Sequence, residues 1–213
     1  MKLIKQLIAV ATVAMASGAF AAAPANEAPD ALVKRISADV IDTAKADKDI
    51  QSGNQQKVMA LVETKILPYV DFQRMTALAA GRHWRDASPE QQKQLANEFR
   101  TLLIFTYSGA LSQIKNETVD FKPLRADPAD QEVEVRSSVN VQRGDPVTLN
   151  YRLAKTPQGN WKIFDINVLG AWLVETYKGT FATEIGKSGI DGLIKALAER
   201  NKKLASKPVT TKK

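Results

Sequence analysis

Apolar residues recur every three or four positions up to about residue 114, every second position between Val133 and Leu153, and every three or four again from Leu173. A chain whose hydrophobic period changes twice in this way must pack a sheet against helices that precede and follow it, because the two periods line up different surfaces. Helical spacing relates Leu32, Val33, Ile36, Val40 and Ile41, and again Val58, Leu61, Val62, Ile66 and Leu67, with Gly53-Asn54 between the two runs. Pro68 ends the second run. Asp71 is placed to cap a third helix through Phe72, Met75 and Leu78, which Gly81 closes and which delivers the chain to His83 and Trp84. Ser88-Pro89-Glu90-Gln91 combines an N-cap serine, a first-turn proline and a capping-box glutamine, and so predicts the start of a long helix through Ile114.

The middle of the chain then alternates. Val133, Val135, Val139 and Val141 stand against Glu132, Glu134, Arg136, Ser138 and Asn140, the pattern of a strand with one wet face. Gln142-Arg143-Gly144-Asp145 predicts a turn into Val147, Leu149, Tyr151 and Leu153, and Thr156 to Asn160 a second turn around Pro157 and Gly159. Val119, Phe121 and Leu124 suggest a further strand, while Trp161, Ile163, Phe164, Ile166 and Val168 send apolar groups to both faces of the last one, which is expected to be covered on both sides. Leu173, Val174, Tyr177, Phe181 and Ile185 return to helical spacing, followed by Gly186 to Gly192 and a final helix through Ile194, Leu197 and Leu204. The expected fold class is α+β, a curved antiparallel sheet wrapped by helices.

The amino terminus supplies a destination. Lys2 and Lys5 precede an apolar run from Leu7 to Ala16 and a small-residue stretch from Ser17 to Ala23, the layout of a secretory signal peptide. Cleavage after Ala21 puts small residues at the recognised positions, giving a signal peptide over 1–21 and a mature start at Ala22. The run is shorter than the roughly 20 residues that span a bilayer, so a soluble, exported protein is expected in place of an anchored one. Of the seven net positive charges, two lie in the leader and five in the lysines from Lys202 to Lys213, which leaves residues 22–200 formally neutral. That balance removes the main support for nucleic-acid binding. A single domain over 22–200 and a solvated, disordered basic tail over 201–213 are expected. With no cysteine, stability must come from core packing.

Catalytic patterns are scarce. His83 is the only histidine, and without cysteine a zinc site would depend on carboxylates that do not cluster near it. Ser108-Gly109 lacks the glycine-flanked elbow of an esterase nucleophile and reads as small-residue packing. Gly186-Lys187-Ser188 resembles the end of a phosphate loop, but Phe181 occupies the first glycine position. Arg143-Gly144-Asp145 is better explained as a turn than as an adhesion tripeptide. Asp165 is the exception. It interrupts an apolar strand, and a buried carboxylate there would serve an isomerase or dehydratase acting on a small hydrophobic molecule. A carboxylate without a partner acid or oxyanion group is more often held by backbone or arginine hydrogen bonds, which is the role expected for it here.

Two long segments carry a resemblance. Leu67 to Leu111, reading LPYVDFQRMTALAAGRHWRDASPEQQKQLANEFRTLLIFTYSGAL, and the stretch from Tyr151 to Leu193 with GNWKIFDINVLG and AWLVETYKGTFATEIGKSGIDGL, resemble the MlaC or toluene-tolerance family of periplasmic phospholipid-binding proteins. The resemblance implies a cone-like, NTF2-like fold with an apolar cavity. It implies a monomeric, non-enzymatic carrier with no cofactor and no nucleic-acid partner. Its ligand would be a diacyl phospholipid, shuttled between an outer-membrane lipoprotein–porin complex and an inner-membrane ABC transporter with a hexameric lipid-binding component, so maintaining outer-membrane lipid asymmetry. Roughly 30 acyl methylenes at about 0.8 kcal/mol each cost roughly 24 kcal/mol in water, so a carrier must cover them. Val133, Val135, Val139, Leu149, Tyr151 and Leu153, joined by Phe164, Ile166 and Val168, are candidates for the sheet wall of the cavity. Tyr107 and Leu111, with Ala171, Leu173, Val174, Tyr177 and Phe181, are candidates for its helical walls. Each of these residues alone fits an ordinary core equally well, since periodicity marks burial and does not distinguish a ligand from a side chain. Gly170, Gly179 and Gly186 are expected to let the helix after the last strand move. A periplasmic chaperone or adaptor is the remaining class, and would present an exposed groove in place of a deep cavity.

Overall fold

The computed structural model describes residues 27–142 and 144–206. The signal peptide, Arg143 of the turn tripeptide and residues 207–213 of the tail therefore lie outside the described residues. The chain opens with α1 (Pro29–Ala46), α2 (Lys48–Gln51) and α3 (Gln55–Lys65). The turn between α2 and α3 uses Gly53 at φ 82° and Asn54, whose side chain caps α3 through the Lys57 amide. Pro68 sits in a 3-10 turn, Leu67–Tyr69, where helix can no longer continue. Asp71 caps α4 (Phe72–Ala80) by accepting from the Arg74 amide at 2.9 Å, and Gly81, at φ 59°, closes it. The short α5 (His83–Asp86) follows. The expected capping box is formed: Ser88 Oγ accepts from the Gln91 amide and Gln91 Oε1 from the Ser88 amide, starting α6 (Pro89–Leu111).

Five antiparallel strands run in sequence order: β1 (Thr118–Phe121), β2 (Glu132–Asn140), β3 (Val147–Lys155), β4 (Trp161–Val168) and β5 (Ala171–Trp172). Val133 lies opposite Leu153, Val135 opposite Tyr151, and Tyr151 opposite Ile166, so the alternation seen in the sequence becomes one apolar face across three strands. A bulge at Arg152/Leu153 shifts the β3–β4 register by one residue and adds to the curvature of the sheet. The last helix, α7 (Leu173–Ala205), is broken once, at Gly189 with φ 71° and ψ −175°. Gly186, where a break was expected to begin, lies within the helix, as does Gly179. The exposed Gly186-Lys187-Ser188 is likewise helical and follows no phosphate-binding loop.

Residues 201–205, expected in the basic tail, are helical. Helix α7 continues through Lys202 and Lys203 to Ala205, and Asn201 is buried with its amide nitrogen donating to the backbone and side-chain oxygens of Glu98 on α6. Helix α1 packs on β2, while α4 and α7 pack on β4 and on each other. One core joins them, centred on Phe99, whose ring meets Tyr177 edge-on at 4.9 Å and Phe181 at 5.0 Å.

Candidate lipid-binding face

The apolar face of the sheet has a closed end and a half-open end. At the closed end Val133, Val135, Tyr151, Leu153 and Ile163 are buried against the helices. Toward the β2–β3 turn, Val139 lies opposite Val147 and Leu149 opposite Val168, and all four are half-buried, as is Ile166. Tyr107 and Leu111, in the last turns of α6, are also half-buried and pack on the same core, and burial raises the Tyr107 phenol above its ordinary pKa. Leu173, Tyr177 and Phe181 are buried in the α7 wall, and Val174 is half-buried beside them. Fourteen of the candidate wall residues thus lie on this face or on the helices around it. They pack chiefly against one another, and Val133 alone reaches one of the two best-formed concavities.

Two candidates belong elsewhere. Ala171 is an exposed residue of β5, not part of a helical wall. Phe164 is buried but stands outside the contiguous core. It falls at the β-bulge, unpaired between Asp165, opposite Arg152, and Ile163, opposite Leu153. Its ring carries the Arg74 guanidinium at 4.0 Å, and Arg74 also pairs with Glu132 on the face of β2 away from Val133. The bulge shifted the phase of the strand, so a residue assigned to the cavity wall packs on the other side.

Polar groups interrupt the face at one point. Ser137 lies between Val135 and Val139, buried, and its hydroxyl donates to the Leu149 carbonyl. The neighbouring Tyr151 phenol is pushed up to about 12 by burial, a shift that the Ser37 and Ser137 hydroxyls partly offset. Alternation placed Ser137 on this face in the sequence, but nothing there marked it as buried.

Asp165 is fully engaged in holding the fold. Its side chain is only 1 % exposed, and one carboxylate oxygen accepts from the amides of Ile166 at 2.9 Å and Val174 at 3.0 Å. The second amide belongs to the first turn of α7, whose own N-cap residue, Trp172, contributes no side-chain bond, so Asp165 supplies the cap from the neighbouring strand. The other oxygen meets Arg152 Nη1 at 3.3 Å, and the Arg152 guanidinium lies 3.8 Å from the Trp172 ring centroid. Burial raises the Asp165 pKa above its ordinary value, while the two amides and Arg152 pull it down. The nearest acceptors and donors around this carboxylate are structural, and the arrangement performs capping. Among the described residues no three His, Asp or Glu side chains converge as a metal-holding group, and no helix is long and apolar enough to cross a membrane.

Comparison with known proteins places this architecture. Residues 34–199 match the family model described as MlaC protein. The intermembrane phospholipid transport system binding protein MlaC of Haemophilus influenzae is 25% identical over 176 residues, covering 77% of this chain and 80% of that protein. The toluene tolerance protein ttg2D of Pseudomonas putida is 23% identical over 168 residues, covering 78% and 77%. A solved structure of a phospholipid-binding protein from Ralstonia solanacearum, in complex with a phospholipid, is 50% identical, covers 83% of this chain and 98% of its own, and superposes with a TM-score of 0.79. These relatives are named for phospholipid binding, transport and toluene tolerance, none for an enzymatic activity. With the family model spanning most of the described chain, from α1 into the last turns of α7, the protein belongs to the MlaC family.

Proposed function

We propose that this protein is a periplasmic phospholipid carrier that takes both acyl chains of a diacyl lipid against the apolar face of its sheet and leaves the head group near solvent. The observation that carries the reading is the 50% identical Ralstonia protein, whose structure holds a phospholipid on the same fold. The half-buried end of the face supports a site of entry there: Val139, Val147, Leu149 and Val168 form an apolar array that the helices cover incompletely. Acyl chains entering at that end would part the wall side chains and replace side-chain contacts with lipid contacts, which costs little apolar burial. The break at Gly189 divides α7, and gives the segment bearing Tyr177 and Phe181 a pivot for that movement.

The carrier role extends to the exported location, through the leader over residues 1–21, and to two docking partners: an outer-membrane lipoprotein–porin complex and an inner-membrane ABC transporter with a hexameric lipid-binding component. The protein contributes shielding, and transport energy comes from the transporter. Native mass spectrometry of the mature protein, purified without detergent, tests the reading. A stoichiometric adduct that fragments as diacyl phospholipid is expected. A protein that carries no lipid and takes none up from vesicles would overturn it.

A further inference from the structure

The larger of the two best-formed concavities lies apart from the apolar face of the sheet. It measures about 510 Å³ and runs between α6 and the segment that joins α3 to α4 together with the first turn of α4; none of the sheet-wall or α7-wall residues lines it. A cavity of this size is in the range that holds ligands. One wall is a face of α6 from Pro89 to Arg100, which extends about 16 Å at a rise of about 1.5 Å per residue. That length matches about five residues of extended peptide at about 3.3 Å each. The floor is apolar, supplied by Leu67, Val70, Phe72 and Ala96.

Charge selects the occupant. Lys93 and Arg100 line the groove seven residues apart on α6, and among the described residues no acidic side chain lines it and neither cation is ion-paired. Such a site favours carboxylates, with Arg100 able to take one in a bidentate manner. Gln73 and Asn97 add amides, each with both a donor and an acceptor, which is what the alternating N–H and C=O groups of a peptide require. An acyl chain would offer those amides and both cations no partner, whereas a peptide with carboxylates offers one to each. A flat anionic bilayer would not reach into a concave groove.

We propose that this groove docks an extended segment of a partner protein, about five residues long, in which acidic side chains flank apolar ones. The inference is independent of where lipid binds, since the groove shares no residue with the lipid face.

The full mature protein, immobilised, is panned against a random dodecapeptide display library, with phospholipid retention read in parallel by mass spectrometry. The expected result is enrichment of peptides with two carboxylates around an apolar pair, retained at least tenfold less by Lys93→Glu/Arg100→Glu and by the groove-filling Ala96→Trp. All variants are expected to keep the thermal midpoint and the lipid content of the parent. No enrichment, enrichment of basic or purely apolar peptides, or equal retention by the charge-reversed and groove-filled variants would each overturn the proposal. Displacement of a labelled palmitate by neither peptide nor variant is the matching control: palmitate bound in the groove and lost in Ala96→Trp would assign the groove to acyl chains instead.

Discussion

Replacing Asp165 by alanine and by asparagine separates its capping role from any need for its charge. Alanine removes the acceptor of the Ile166 and Val174 amides and the partner of Arg152 at once. A buried hydrogen bond to a charged group contributes about 1.5–3 kcal/mol, and a helix cap about 1 kcal/mol. The Arg152 side chain is 43 % exposed, so its ion pair adds at most about 1 kcal/mol. Against these gains stands the cost of burying the carboxylate, which is what holds its pKa up. The net loss for Asp165→Ala comes to about 3 kcal/mol. Asparagine keeps an oxygen for both amides, so Asp165→Asn should stay within about 1 kcal/mol of the parent at pH 7.

The pH dependence adds a second, independent check. A group whose folded pKa is raised contributes stability that is complete below its unfolded value, here near the ordinary 3.8, and is lost as pH rises through the folded value. Asparagine mimics the uncharged form at every pH. Asp165→Asn should therefore gain on the parent as pH rises from about 4 toward neutrality. Urea unfolding followed by circular dichroism measures both effects, and about 3 kcal/mol moves the midpoint by more than about 1 M at typical slopes. An Asp165→Ala protein as stable as the parent, or an Asp165→Asn protein that falls as far as the alanine variant, would refute the capping account.

Three further outcomes follow from the packing. Phe181→Ala removes the α7 ring packed on Phe99, fully buried 5.0 Å from Phe99 and 6.0 Å from Tyr177; calorimetry should record a loss of about 3–5 kcal/mol, and a loss below about 1 kcal/mol would mean that α7 is not anchored there. Leu169 is 72 % exposed and holds φ 55° beside Gly170 at φ 88° in the tight β4–β5 turn, so Leu169→Asn should stabilise by about 1 kcal/mol and raise the thermal midpoint by about 2–4 °C; an unchanged or lowered midpoint would refute the strain. Tyr151, with a folded pKa of about 12 and an unfolded value near 10, holds stability that is complete below about pH 10 and declines as pH rises toward 12, by roughly 2–3 kcal/mol; titrated unfolding should lose that slope in Tyr151→Phe, and a slope that persists would assign it to another group.

Features encoded within a few neighbouring residues were readable in the sequence. The Ser88 capping box, the Asp71 cap and the Gly53-Asn54 turn each pair a side chain with an amide three positions away, so they appear in the sequence as local patterns. The two-residue β5 and the four-residue α2 are shorter than any period can register. The break in α7 posed a different problem. Gly179, Gly186, Gly189 and Gly192 are chemically alike, and only the path of the helix over α6 selects Gly189; there Gln91, from the first turn of α6, donates to Asp191 at 2.8 Å, two residues past the break. The same holds for Asn201, whose burial depends on Glu98 of α6, a residue 103 positions away.

The placement of Phe164 shows why the candidate site is harder to read than the fold. Alternation phases a strand only when one face is wet, as in β2, where Glu132 and Glu134 mark the outer side. Strand β4 is buried on both faces: Phe164, Asp165 and Asn167 on or near the side of Arg152, and Ile163 on the other. Its sequence therefore carries no signal of which residue faces the helices, and one bulge reverses the assignment. The buried carboxylate in that strand is the one reliable marker. A buried carboxylate must be satisfied, Arg152 lies opposite it in the adjacent strand, and Val174 stands at the start of the next helix. Those demands orient Asp165 and hence fix where α7 begins. The placement of Tyr177 and Phe181 over the core follows from that starting point, because they lie three and seven positions beyond Val174, on the same face of the helix.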